Sequence, residues 1–197
     1  SDDDLKRHVE GAATVGACCV RGAPQRYPEG AFDYQKELAK VVDQYGRVIG
    51  LAKSYKIKVV IETHCYSFAT SPALALNICK NFTPAEIGTI FDIANFSIEG
   101  NLVPNLAVAV LGDYIDHVHI GGGKRVTTGY DAAGFRTLGR TMTPMTETDL
   151  YIPDWLKALD EAGRHVPLII EDFTPSVPGA DRLRASAAAL KRAMAML

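Results

Sequence analysis

Apolar and polar positions alternate along this chain with two periods, one typical of helices and one typical of buried strands. Between residues 32 and 55, apolar side chains recur every three or four positions, which predicts a long amphipathic helix. Short continuous apolar runs such as Val59-Val60-Ile61 instead predict strands that are buried on both faces. Because helices and strands of this kind follow one another almost from end to end, the pattern predicts a parallel sheet covered by helices.

The predicted elements begin with a helix that carries Leu5, Val9 and Ala12. The predicted strands cover residues 17–20, 56–62, 88–92, 114–120 and 166–173. The predicted helices cover residues 32–55, 71–81, 104–111, 152–162 and 182–197. Residues 21–30 are predicted to form a loop because glycines and prolines are frequent there, and a second long loop is predicted before residue 152.

Four of the predicted strands end in a side chain that can bind a metal ion. These side chains are Glu62, Asp92, His119 and Glu171. In parallel α/β proteins, functional groups gather at the carboxyl ends of the strands, so we expect the four side chains to converge. A barrel brings side chains from more strands to one axis than an open sheet does. No Gly-x-Gly-x-x-Gly motif follows any predicted strand, so dinucleotide binding has no support.

We therefore predict a (β/α)₈ TIM barrel that forms one domain over residues 1–197. Only five strands are visible, and the chain begins on a helix without an initiating methionine. We expect the barrel to be incomplete, with its N-terminal strands missing from this chain. A five-stranded parallel sheet standing alone is the alternative.

Each of the four strand ends has an ordinary structural explanation. Glu62 could pair with an arginine or lysine, Asp92 could cap the next turn, and a histidine on a strand could simply be packed. His117 shares a strand face with His119, but it lies farther from the carboxyl end. Taken together, three carboxylates and one imidazole suit Mn²⁺, Mg²⁺, Co²⁺ or Zn²⁺. The excess of carboxylates favours Mn²⁺ or Mg²⁺.

Composition excludes some other functions. The 197 residues are 47% hydrophobic, with a formal net charge of −2 and a pI near 6.2. We expect neither nucleic acid nor an anionic membrane as a partner, because no basic surface is indicated. No apolar run approaches the ~20 residues of a membrane span. The four cysteines lack zinc-type spacing and indicate a reduced, cytoplasmic protein.

The order of the four strand ends resembles the xylose isomerase-like TIM barrel superfamily of sugar and sugar-phosphate isomerases and epimerases. The phrases that carry this resemblance, in particular to the ketose 3-epimerase branch, are Val60-Ile61-Glu62, Phe91-Asp92, His117-Val118-His119-Ile120-Gly121 and Ile169-Ile170-Glu171-Asp172-Phe173. The resemblance implies that Glu62, Asp92, His119 and Glu171 bind a divalent metal. It also implies that Arg125, six residues after His119, contacts the substrate.

The sequence departs from that branch at two substrate positions. Asn95 stands where the family has a histidine, and Phe68 stands where it has a second glutamate. Substrate contacts must therefore differ from those of the free-ketose epimerases. His119 and Glu171 are also 52 residues apart (171 − 119), which exceeds the usual spacing, and residues 126–151 are predicted to form a lid or an interface loop.

The resemblance implies proton abstraction next to a carbonyl, which forms an enediolate, with Glu62 and Glu171 as the acid–base pair. We expect a small carbohydrate-like substrate, contacted by His64, Asn95, His117, Lys124 and Arg125. Lys124 and Arg125, after three glycines, could hold an anionic group.

Several alternatives remain open beside the isomerase or epimerase. A dehydratase of a sugar acid or inosose would use the same barrel and the same enolisation. A barrel-derived binding protein without catalysis is a second alternative. A nuclease of the apurinic-site type is disfavoured by the five histidines and the acidic pI. Because an incomplete barrel would expose sheet edges, we also expect a homo-oligomer.

Overall fold

The computed structural model of the protein describes residues 2–23, 25–99, 103–175 and 177–197. The helices are α1 (Asp2–Thr14), α2 (Tyr34–Ser54), α3 (Pro72–Cys79), α4 (Ile93–Glu99), α5 (Pro104–Leu111), α6 (Ile152–Glu161) and α7 (Gly179–Met194). The strands are β1 (Cys19–Arg21), β2 (Lys58–Glu62), β3 (Ile87–Asp92), β4 (Ile115–Ile120), β5 (Gly122–Tyr130), β6 (Arg136–Thr143) and β7 (Leu168–Ile170). Two short 3₁₀ turns cover Gly112–Tyr114 and Met145–Glu147.

The parallel strands follow the order β1-β2-β3-β4-β7, and β5 and β6 form a separate antiparallel pair. A parallel connection needs a crossover of a dozen or more residues, which the intervening helices supply. The structure therefore agrees with the predicted parallel α/β architecture. It divides into two compact units, one of residues 1–91 and 110–116 and one of residues 92–109 and 117–197. The prediction of one domain stays a prediction.

In the first unit, the long helix α2 covers its strands as the sequence pattern predicts. Asp33 caps the helix, because its side chain accepts a hydrogen bond from the backbone N–H of Lys36. The buried positions of the helix are Val41, Tyr45, Ile49 and Ala52. Their three- and four-residue spacing places them on one face, so this face belongs to the core.

The entry to β3 is fixed by Glu86, the residue before the strand. Its carboxylate accepts hydrogen bonds from the backbone N–H and hydroxyl of Thr83 and from Lys53 Nζ, at 3.1, 2.9 and 3.1 Å. These bonds, led by the one from the Thr83 backbone, lower the pKa of Glu86 from its ordinary value of 4.5 to about 2. The strand that follows is buried at all six positions.

In the second unit, β4 and β7 are paired in parallel, with Val118 opposite Leu168 and Ile120 opposite Ile170. The ladder continues by one bond, in which Glu171 N donates to Ile120 O at 2.9 Å. Trp155 of α6 stacks on Phe96 of α4, with ring centroids 5.3 Å apart. Both rings are fully buried and form part of the core of this unit.

The segment predicted as a long loop is largely the β5–β6 hairpin, and its role as a lid or an interface stays a prediction. Gly122 and Gly123 are buried residues at the start of β5, so they belong to the strand and not to a turn. A β-carbon on Gly122 would collide with the backbone carbonyl of Thr143. Glycine is therefore required by the close approach of two backbone segments, those of β5 and of the end of β6.

Candidate functional site

Asp92 is the last residue of β3 and the residue directly before α4. Only 2% of its surface is exposed. Its Oδ1 accepts a hydrogen bond from the backbone N–H of Asn95 at 2.9 Å, and its Oδ2 accepts one from Asn95 Nδ2 at 2.7 Å. Asp92 thus caps α4, which confirms the structural role considered for it. Capping does not remove it from chemistry, because a carboxylate oxygen can accept more than one bond.

His119 and Glu171 lie beside Asp92 in the same unit. His119 Nδ1 is 3.3 Å from Glu171 Oε2 and 4.0 Å from Asp92 Oδ2. Each of the three side chains offers one ligand atom, and these atoms all lie within 4.8 Å of one another. We call Asp92, His119 and Glu171 the ligand cluster. The structure thus brings together three of the residues that the sequence predicted to converge.

The donor atoms of the ligand cluster fit a divalent cation. Two carboxylates held this close repel each other, and burying charge is costly without compensation. A divalent cation compensates both effects, and oxygen and imidazole donors suit Mn²⁺, Mg²⁺, Co²⁺ and Zn²⁺ alike. The cluster is therefore a candidate metal centre, and its donor types alone do not choose among these ions.

Glu171 is held in place through its backbone and through the next residue. Its carbonyl lies against Gly121, where a β-carbon would collide with it. Asp172 turns towards α7 and accepts hydrogen bonds from Ser186 Oγ at 2.6 Å and from Thr174 N at 2.8 Å. Burial acts to raise the pKa of Asp172, but these hydrogen bonds outweigh it and hold the pKa below its ordinary value. Asp172 thus faces the helix α7.

His117 lies two residues before His119 on β4, and the two rings are 5.5 Å apart between centroids. This spacing agrees with the prediction that both side chains face the same side of the strand. His117 is buried. It lies next to His119 of the ligand cluster, farther from the carboxyl end of β4.

Arg140, on β6, is a residue of this region that the sequence reasoning missed. Its Nη1 donates to Asn95 Oδ1 at 3.2 Å, and its Nη2 donates to the carbonyl of Ala94 at 3.3 Å. Arg140 thus contacts Asn95, the residue that donates hydrogen bonds to Asp92. No sequence signal identifies this contact, because it depends on the pairing of β5 with β6.

In the first unit, Glu62 ends β2 and is only 3% exposed. It forms an ion pair with Arg21, which ends β1. This is the structural role considered for Glu62, and it is confirmed. Arg21 was missed, although a polar residue at a predicted strand end is the same signal that identified the others. His64 follows β2, with its Nδ1 2.8 Å from the carbonyl oxygen of Cys65.

Lys124 and Arg125 are consecutive residues of β5, so their side chains point to opposite faces. Lys124 Nζ lies 3.6 Å from Glu147 Oε2, whereas the backbone N–H of Arg125 donates to Asp149 Oδ2 at 2.7 Å. These residues lie on a strand and not in a loop, and their contact with an anion stays a prediction. Either residue could still contact a substrate alone.

Comparison with protein families identifies the class of this parallel α/β protein. The family described as xylose isomerase-like TIM barrel matches residues 2–193 of the chain. The chain therefore belongs to that family. The predicted family and fold class are confirmed, and the predicted enzyme class, sugar isomerase or epimerase, agrees with them. A search of curated protein sequences finds no match.

Solved structures support the same fold. A D-tagatose 3-epimerase-like protein is 23% identical, with a TM-score of 0.74, over 97% of this chain and 67% of its own. The IolI protein with a bound zinc atom is 17% identical, with a TM-score of 0.74, over 97% and 68% of the two chains. The probable 3-DHS dehydratase AsbF of Bacillus anthracis is 16% identical, with a TM-score of 0.73, over 96% and 69%. At these identities the likeness establishes the fold, and the chain spans about two thirds of the length of these structures.

Among the described helices, none combines the length and hydrophobicity that crossing a bilayer requires. All four cysteines of the chain are free thiols, with Cys65 and Cys79 buried and Cys18 exposed. Burial raises the pKa of the Cys79 thiol to about 12. The expectation of reduced cysteines agrees with this arrangement.

Proposed function

We propose that the protein is a metal-dependent isomerase or epimerase of a sugar or a sugar derivative, which acts by removing a proton next to a carbonyl. The observation that carries this proposal is the ligand cluster, in which Asp92, His119 and Glu171 offer ligand atoms within 4.8 Å of one another. Membership of the xylose isomerase-like family supports it. The D-tagatose 3-epimerase-like protein with the same fold supports the reaction class.

We propose Glu62 as the fourth metal ligand. It is a buried carboxylate at the carboxyl end of β2, which is the position that the sequence pattern assigns to a ligand. Arg21 neutralises it in the present arrangement. We expect this ion pair to be loosened when Glu62 binds a cation, because one carboxylate then serves two positive partners.

The two glutamates are the proposed acid–base pair. A bound divalent cation would acidify the carbon-bound proton by polarising the neighbouring carbonyl. One glutamate removes that proton to give the enediolate, and the other returns a proton on the opposite face. We expect both to act through their position, since a nearby cation favours the charged carboxylate.

The remaining substrate contacts are proposed from their places on the strands and helices. His117 and Asn95 lie next to cluster residues in the second unit. His64 follows β2, which ends in Glu62, whereas Lys124 and Arg125 lie on β5, which follows the strand that carries His119. Because Asn95 is already bonded to Asp92, we expect its effect on substrate to be indirect.

The experiment is solvent deuterium exchange on a panel of ketoses, sugar phosphates and inososes, after loading with Mn²⁺ or Mg²⁺ and, separately, with Co²⁺ or Zn²⁺. Stoichiometric metal binding, with deuterium incorporated at the carbon next to the carbonyl, supports the proposal. Glu171→Gln should abolish exchange, whereas Glu161→Gln, an exposed change on α6, serves as the matched control. Absence of metal binding at saturating Mn²⁺ would overturn the metal-dependent mechanism.

A dehydratase is the second candidate, favoured by the likeness to the fold of the probable 3-DHS dehydratase. It would begin with the same proton abstraction and then expel a hydroxide from the neighbouring carbon as water. A product lighter by one water, detected by mass spectrometry, identifies this outcome. Metal binding without exchange or dehydration on any of these substrates would instead indicate a binding protein.

We also propose that the protein is a cytoplasmic homo-oligomer. Ile169, an apolar residue of β7, is 44% exposed, and β7 is the last strand in the sheet order. Exposed apolar strands favour pairing with another chain. A single monomeric peak in size-exclusion chromatography with light scattering, at all concentrations tested, would contradict the oligomer.

A further inference from the structure

A chain of hydrogen bonds connects the β5–β6 hairpin to the ligand cluster. Arg140 on β6 donates to Asn95 Oδ1, and Asn95 donates through both Nδ2 and its backbone N to Asp92. The second guanidinium nitrogen donates to the carbonyl of Ala94, in the first turn of α4. The guanidinium is thereby fixed to two successive residues of the helix that Asp92 caps.

The order of donors and acceptors in this chain permits only one orientation of the Asn95 amide. A carboxylate accepts hydrogen bonds and a guanidinium donates them, so the amide must turn its NH₂ towards Asp92 and its oxygen towards Arg140. A flipped amide would place oxygen against oxygen at Asp92 and donor against donor at Arg140. Arg140 therefore selects the orientation in which Asn95 supports Asp92.

This selection acts on a metal ligand because each oxygen of Asp92 accepts one N–H from Asn95. With both oxygens held, rotation of the carboxylate about its Cβ–Cγ bond is restricted to one orientation. Groups that orient a ligand in this way increase the metal affinity, because a ligand that is already ordered does not have to be ordered on binding.

We propose that Arg140 is a positioning residue that, through Asn95, holds Asp92 in its metal-binding orientation. This inference depends on the proposed metal site. It assigns the β5–β6 hairpin a role that its position outside the parallel strands does not suggest, since a residue in the hairpin would set the metal affinity without touching the metal.

The first test is the Mn²⁺ dissociation constant of the 197-residue chain, measured by isothermal titration calorimetry. Arg140→Met should weaken binding about 10-fold, at the lower end of the 10- to 100-fold range for residues that orient ligands. Arg140→Lys should give an intermediate value, because an ammonium can still donate to Asn95 Oδ1. Arg136→Met, on the same strand and exposed, is the matched control and should leave binding unchanged.

A double-mutant cycle tests whether Arg140 acts through Asn95. If it does, Arg140→Met should add little to the loss caused by Asn95→Ala, whereas independent roles would give additive losses. Additive losses, or an unchanged dissociation constant in Arg140→Met, would overturn the inference. A raised KM for substrate with unchanged metal affinity would also overturn it, since Arg140 would then be a substrate contact.

A measurement on the metal-free protein separates this inference from the proposed function. The side-chain NH₂ signals of Asn95, assigned by their loss in Asn95→Ala, should be slow to exchange with solvent in the wild type and faster in Arg140→Met. Circular dichroism shows whether each variant is folded. If the wild type binds no metal, the proposed function fails; if it binds metal but Arg140→Met behaves like Arg136→Met, only the positioning role fails.

Discussion

The strands β3 and β7 each lead to a carboxylate of the ligand cluster, yet the protein surrounds the two strands differently. All six residues of β3 are buried, and Asp92 at its end is 2% exposed and bonded twice to Asn95. β7 has three residues, none of them fully buried, and the side chain of Glu171 after it is 31% exposed. The two carboxylates are therefore suited to different tasks.

The contrast suggests that the two carboxylates have different roles, one as a fixed ligand and the other as an accessible one. Asp92 is held on both oxygens, which suits a group that only binds the cation. Glu171 is open to solvent on part of its surface, which suits a group that must exchange a proton with substrate.

Asp92→Ala should have the largest effect. It removes a ligand and leaves two donors of Asn95 without their acceptor, which costs about 1–3 kcal/mol in a buried setting. We expect loss of stoichiometric Mn²⁺ binding together with a lower free energy of unfolding in urea. Glu171→Ala should weaken metal binding with a much smaller change in stability. Equal stability losses in the two variants would remove the distinction between them.

Gly121→Ala should disturb Glu171 without touching its carboxylate. The added methyl group would meet the Glu171 carbonyl, so the end of β7 must shift. Overpacking of this kind costs about 1–3 kcal/mol, and Mn²⁺ affinity should fall as well. Gly50→Ala is the control, because nothing lies within 4 Å of a β-carbon there and α2 should gain up to about 1 kcal/mol. A well-tolerated Gly121→Ala would show that Glu171 is not held by this packing.

Ser186→Ala should have a smaller effect on the same strand end. It removes the 2.6 Å hydrogen bond to Asp172, worth about 1 kcal/mol, while the bond from Thr174 remains. Ser54→Ala is a matched control, because that hydroxyl bonds only the carbonyl of Leu51 in its own helix. Thermal and urea unfolding should separate the two variants. If both changes cost the same, Asp172 does not fasten the segment after β7 to α7.

Glu86→Gln should have the smallest effect and should show itself as a change in pH dependence. The pKa of Glu86 is lowered in the folded protein, so its contribution to stability is complete above its ordinary value of 4.5 and is lost as the pH falls towards 2. The variant should therefore lose less stability than the wild type between pH 4.5 and pH 2. Urea unfolding at several pH values measures this, and parallel curves would contradict it.

The parallel strands and their polar ends could be predicted from the sequence because burial on both faces requires uninterrupted apolar runs. The run Val59-Val60-Ile61 followed by Glu62 identifies both the strand and the residue at its end. The same reasoning identified Asp92, even though it could not decide between a capping role and a metal-binding role. The structure shows the capping contact and the cluster together.

The hairpin and its contact with α4 could not be predicted in this way. Residues 122–130 and 136–143 alternate little in hydrophobicity, because much of the hairpin is exposed on both faces. Their pairing is a long-range property that no local pattern records. The seven-residue helix α4 was missed for a related reason, since it is too short to show a helical period. Arg140 was missed because it depends on both elements.

One irregularity of the hairpin has a consequence for how this protein can vary. A bulge at Thr128 shifts the register, so Thr127 faces Leu138 while Gly129 faces Thr137. The bulge interrupts the regular pairing between the tip and the base, where Arg140 is paired with Arg125. We expect the tip to accommodate insertions, deletions or a fluorescent label at the exposed residue Ala132 without a change of register at the base. The turn is thus the natural place to attach a reporter of the metal site.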